Sequence, residues 1–171
     1  MLKYNGKRIP VVGVGWLDHR FGDYHQTDKI ETYDWFCLQL DNNVDIICWY
    51  AYVNGEFVSE HLIMTYMLAD DTVEVVEKDA FKIETLDYWL FSKMKKYGCK
   101  WHITEKNHKL DLFVRPTIPN QLCYVPFPFE MREKKRLCLA GLYGCSSKIE
   151  GTFEGKLVKG NGSAELTRIW E

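Results

Sequence analysis

Nine residues near the start of the chain hold its densest group of reactive side chains: Gly15-Trp16-Leu17-Asp18-His19-Arg20-Phe21-Gly22-Asp23. An acid, an imidazole and a guanidinium are consecutive there, set between glycines and aromatic rings. If the stretch ends a strand running Ile9–Trp16, Asp18 and His19 point to opposite faces and form no simple dyad unless a bulge turns one of them. Asp18 then shares a face with Trp16 and Arg20, and Arg20 can orient it. A carboxyl or imidazole in a ring-lined, low-dielectric site can serve as a proton donor. The same residues also fit a structural clasp, with Asp18 capping backbone amides and His19 satisfied in the core or at its rim.

A second polar group lies in Tyr33–Leu40. Along that strand Trp35, Cys37 and Gln39 share one face, and Phe36, Leu38 and Leu40 share the other. If its face is buried, the Gln39 amide needs partners, which a ligand can supply; otherwise the face simply meets solvent. In Val44–Val53, Tyr50 and Tyr52 lie opposite Trp49, so only one of these two sets can line an interior.

The elements that must position these groups are strands. Asp41-Asn42-Asn43 joins Tyr33–Leu40 to Val44–Val53 as a hairpin. Asn54-Gly55 supplies a type I′ turn into Phe57–Leu68. Further strand signals are Thr72–Glu77, Phe81–Thr85, Lys100–Glu105, Leu110–Arg115, Leu137–Tyr143, Lys148–Lys156 and Ser163–Trp170, with Gly160-Asn161-Gly162 as a turn. Leu86–Lys96 fits one short helix, or else a bulged strand. Pro116, Pro119, Pro126 and Pro128 make 116–130 a loop with short extended pieces. The pattern predicts an all-β fold: one antiparallel barrel or sandwich, residues 1–171 forming a single domain.

Composition narrows the function. The 171 residues carry 22 Lys+Arg against 24 Asp+Glu, a net charge of −2 without basic blocks, which argues against a dedicated nucleic-acid binder. No apolar run is long enough for a membrane span. Aromatic residues make up 15% of the chain, more ring surface than packing alone requires, so a lined pocket is expected. The six cysteines show no metal-ligand spacing and no leader precedes them, so free thiols, a cytoplasmic location and neither metal nor cofactor are expected.

Three ordered blocks carry a family resemblance. Gly13-Val-Gly-Trp16-Leu-Asp18-His19-Arg-Phe-Gly22 and Tyr33-Asp-Trp35-Phe36-Cys-Leu38-Gln39-Leu40-Asp come first. Glu150-Gly151, with Gly160-Asn161-Gly162-Ser-Ala-Glu165-Leu166-Thr167, follows. Together they resemble the lipocalin-like AttH/CrtC superfamily of carotenoid hydratases, kievitone hydratase-type enzymes and fungal Diels–Alderases. The sequence departs from that pattern in having Phe21 where Trp is commoner and Asn43-Val44 in place of Asp-Gly.

The resemblance implies a lipocalin-like barrel that hydrates or cyclises a hydrophobic polyene, terpenoid or polyketide. With the reactive cluster and the strand faces above, Asp18, His19 and Gln39 are the candidate catalytic residues and Trp16, Trp35, Tyr50 and Tyr52 the pocket candidates. A non-catalytic binder of a hydrophobic small molecule, or one half of a two-component protein, is the alternative. Family members usually carry two tandem barrels, and these blocks belong to the second. A homodimer or a partner supplying the first barrel is therefore expected, with Gln121–Phe129 as contact or lid.

Overall fold

The computed structural model describes residues 1–19, 32–53, 56–92, 95–119, 121–127 and 138–170. Twelve strands follow in chain order: β1 Leu2–Tyr4, β2 Lys7–Ile9, β3 Thr32–Leu40, β4 Asp45–Val53, β5 Glu56–Met67, β6 Val73–Val76, β7 Phe81–Ser92, β8 Lys95–Glu105, β9 Leu110–Pro116, β10 Leu122–Phe127, β11 Cys138–Phe153 and β12 Lys156–Trp170. A 3-10 turn, Lys78–Ala80, leads into β7. β1 and β2 make a separate hairpin. The rest form one antiparallel sheet in the order β6-β5-β4-β3-β12-β11-β9-β8-β7, with β10 on β11 beside β9.

Alternation decides which side is core. On β3, Asp34, Phe36, Leu38 and Leu40 are buried; their cross-strand neighbours Tyr50, Cys48 and Ile46 on β4 and Ala164 and Leu166 on β12 are buried with them. The sheet curls around this face until distant strands meet. Phe36 on β3 lies edge-on to Trp101 on β8 at 5.2 Å, and the Tyr66 hydroxyl on β5 donates to Glu105 on β8 at 3.2 Å. The result is an all-β, lipocalin-like half-barrel. Among the described residues β6 and β7 end the strand order, and β10 pairs on one side only.

Several expectations change. Only Ile9 of the Ile9–Trp16 run is in a strand; residues 10–19 are irregular, and nothing approaches Gly13 or Gly15 within 4 Å. The alternation argument for Asp18 and His19 therefore does not apply. Of the two readings of Leu86–Lys96, the bulged strand holds and the helix does not: it is the end of β7 and the start of β8, residues 93–94 lying outside the described ones. Register shifts at Thr85/Asp87 and Leu90/Ser92 break the period of two, and this produced a helix-like spacing of apolar residues.

The turn expected at Gly160-Asn161-Gly162 is mid-strand, and the true reversal is Glu154-Gly155, both at positive φ (51° and 76°). The glycines at 160 and 162 serve close packing: a Cβ there would lie 2.3 Å from the Gln39 carbonyl oxygen and 2.4 Å from that of Cys37. The Asn54-Gly55 turn lies outside the described residues, although β4 and β5 pair up to Val53–Glu56.

Candidate functional site

One cross-strand row on the inner face runs Tyr50, Asp34, Leu166, Tyr143 over β4, β3, β12 and β11. Asp34 occupies a position whose alternation otherwise yields Phe36, Leu38 and Leu40, and it is 1% exposed. The Tyr50 hydroxyl donates to its Oδ2 at 2.6 Å. Burial first, then the Asp34 and Tyr52 charges, push the Tyr50 pKa far up, so the phenol keeps its proton.

Rings surround the pair. Tyr52 stands edge-on to Tyr50 at 5.5 Å and Phe36 stacks on it at 6.5 Å. Further along the same end of the sheet, Trp89 meets Tyr97 and Tyr143 edge-on, both at 5.9 Å. Burial, with Cys145 next, raises the pKa of Tyr143. Tyr52 and Trp89 are half-buried, so the ring-lined end reaches the surface. This arrangement can fold an apolar chain against ring faces and move a proton at a carboxyl.

The outer face holds a second aromatic group. Trp16, the one partly buried residue of 1–19, lies edge-on to Trp35 at 6.4 Å. Its buried Nε1 has no hydrogen-bond partner among the described residues. Tyr33 stands edge-on to Trp49 at 6.4 Å and donates to Glu165. Asp18 is near enough to Cys37 to add to the rise in that thiol's pKa, behind the effect of burial.

The sequence-derived residues thus divide between two faces. Trp16, Trp35 and Gln39 belong to the outer side, where Gln39 is half-buried and sits opposite Asn161 and Asp45. Asp18 and His19 are exposed on the segment that carries Trp16. Tyr50 and Tyr52 face inward. Arg20, Phe21, Gly22 and Asp23 lie outside the described residues. Asp34 is the residue that sequence reasoning missed; the signal was an acid on the apolar side of the β3 alternation.

Two surface clefts lie away from the Asp34–Tyr50 pair. One of about 400 Å3 is lined by Lys100, Phe113, Arg115 and Glu150 on the outer face. The other, of about 430 Å3, is lined by Val44, Leu68, His108, Phe153 and Leu157 at the opposite end of the sheet. Among the described residues no group of three or more His, Cys, Asp and Glu could hold a metal ion, and no helix is long and apolar enough to cross a membrane. Cys37, Cys48, Cys99 and Cys145 are free and buried.

Curled sheet, filled inner face and ring-lined end together define a lipocalin-like β-protein. A family profile described as AttH-like matches residues 1–167, and the chain belongs to that family. No curated protein matches the sequence. Among solved structures, kievitone hydratase from Nectria haematococca superposes with a TM-score of 0.62 at 14% identity, covering 81% of this chain and 40% of that one. An AttH protein from Nitrosomonas europaea gives a TM-score of 0.59 at 13% identity, with 81% and 39% covered. At such identities the likeness is one of fold. The chain spans about two fifths of the length of each of these relatives.

Proposed function

We propose that this chain is the lipocalin-like half of an enzyme that adds water to, or cyclises, a hydrophobic polyene, terpenoid or polyketide. The observation that carries this reading is the buried Asp34–Tyr50 pair at the ring-lined end. Family membership and the fold shared with kievitone hydratase support it. In the hydration, the Asp34 carboxyl delivers a proton to one alkene carbon, water adds to the other, and the added water returns a proton to the carboxylate. The half-buried ring of Tyr52 stabilises the cation in between, and Tyr50, which keeps its own proton, holds the carboxyl in place. In the cyclisation an internal double bond attacks in place of water, and the cyclised cation then returns a proton to the carboxylate.

The residues suggested by the family resemblance, Asp18, His19 and Gln39, are assigned to the face that a second component would cover, with Trp16 and Trp35 beneath it. That component corresponds to the three fifths of each relative that this chain does not match. A second reading, a binder without catalysis, is favoured by one observation. Phe36, Leu38 and Trp101 are fully buried and fill the middle of the inner face, leaving the ring-lined end as the place for a ligand.

The test is incubation with isoprenoid and prenylated polyketide alkenes in heavy-oxygen water, read by mass spectrometry. Label in the product, or an unlabelled cyclised isomer, that disappears in Asp34→Asn supports the enzyme. A ligand retained unchanged supports the binder. Neither product nor retained ligand overturns both.

A further inference from the structure

The β1–β2 hairpin has no partner strand among the described residues, and an isolated two-stranded ribbon is marginal in water. Its register sets Leu2 opposite Ile9, Lys3 opposite Arg8 and Tyr4 opposite Lys7. One face is therefore mainly apolar, with Leu2, Tyr4 and Ile9, and the other is cationic, with Lys3 and Arg8. All these side chains are exposed, Tyr4 by 63%. The first seventeen residues hold Lys3, Lys7 and Arg8 and no acid.

The β6 edge is the complement of this ribbon. It pairs with β5 on one side, and its other side is unpaired among the described residues. Its outward side chains Val73 and Val75 are 64% and 71% exposed. Asp70, Asp71, Glu74, Glu77 and Asp79 crowd the strand and its flanks, against Lys78 alone. Proteins ordinarily blunt an open edge with lysine or proline, and β6 contains neither.

We infer that the hairpin of one copy adds as strands to the β6 edge of a second copy, exchanged reciprocally in a two-fold dimer. Leu2, Tyr4 and Ile9 then extend the Val73–Val75 stripe, while Lys3 and Arg8 fall on the side of Glu74. The open backbone N–H and C=O groups of both edges pair. Charge complementarity selects the occupant, because the basic ribbon and the acidic edge belong to the same chain and do not meet within it. The arm is held by Trp16 on β3, three strands from β6. Reciprocal exchange closes the assembly and leaves no free edge to propagate. This inference is independent of the chemistry proposed for Asp34.

Sedimentation velocity on the full chain tests it, with two charge-reversed variants. The parent sediments as a dimer whose dissociation constant rises roughly tenfold from low to high salt. Lys3→Glu with Arg8→Glu, and separately Glu77→Lys with Asp79→Lys, each give monomers that melt like the parent, since all four side chains are exposed. Mixed together, the two variants form a heterodimer, because each reversed hairpin now meets a reversed edge. Val75→Lys, which charges the edge itself, also gives a monomer. A parent that stays monomeric at high micromolar concentration overturns the inference, whether its hairpin is free or folded onto its own edge. So does a dimer that survives in both charge variants, or a mixture that fails to associate.

Discussion

At one end of the curled sheet, Glu105 accepts from the Asn107 and His108 backbone amides and from the Tyr66 hydroxyl. Beside it His108 joins three elements: Nε2 lies 3.0 Å from Glu74, Nδ1 lies 3.2 Å from Glu154, and the ring stacks on Phe153. At the other end Asp34 is buried equally well, and it accepts from the Tyr50 hydroxyl beside the rings of Phe36 and Tyr52. The carboxylate at the first end is consumed in closing a turn. The one at the second end is held by a phenol from the neighbouring strand, next to the half-buried Tyr52. Burial of an acid alone therefore does not separate a carboxylate that closes a turn from one held by a side chain at a ring-lined end.

The sharpest way to break this contrast is to remove the two acids. Glu105→Ala strands two backbone amides and a buried phenol, and should lower the unfolding free energy in urea by about 3 kcal/mol. Asp34→Asn keeps an acceptor for Tyr50 and should change stability by less than about 1 kcal/mol while abolishing product formation. Equal losses at the two sites would make Asp34 one more structural clasp. Tyr50→Phe lies between them, at about 1–2 kcal/mol by the same measurement, because it deletes one buried hydrogen bond.

A smaller effect separates the ends by pH. Burial alone would lower the His108 pKa, but the bonds to Glu74 and Glu154 and the Glu105 charge outweigh it and raise the value. The stability this confers is complete below the ordinary imidazole value, roughly 6.5, and is lost as pH rises through the higher folded value. Melting temperature should therefore fall across that window, and His108→Gln should flatten the fall. A fall that persists in His108→Gln would assign it elsewhere.

The smallest expected effect is on the thiols. Burial raises Cys99 to about 11 and Cys48 further still. Alkylation of these and of Cys37 and Cys145 should be negligible in the native protein and complete on unfolding without reductant.

Strand positions were legible where alternation and turn chemistry agreed, as in the β3–β4 hairpin around Asp41-Asn42-Asn43. They were illegible where glycine had two meanings. Gly160 and Gly162 look like a turn but sit where β12 crosses close to β3, whereas Gly155 with Glu154 makes the actual reversal. Bulges in β7 and β8 likewise disguised strands as a helix. As for the site, alternation placed Tyr50 and Tyr52 on a face opposite Trp49. It could not say which face was inside, since that depends on the direction in which the whole sheet curls. The eye was drawn to the contiguous Asp18-His19 pair, whereas Asp34 acquires its meaning from Tyr50, sixteen residues away.

The central claim, that the ring-lined end receives the hydrophobic ligand, is tested most directly by NMR titration of the full chain with farnesol. The account predicts shifts concentrated at Tyr52, Trp89, Tyr97 and Tyr143, and their loss when Trp89 is replaced by Ala. Shifts confined to His108, Phe153 and Leu157, at the clasped end, would contradict it.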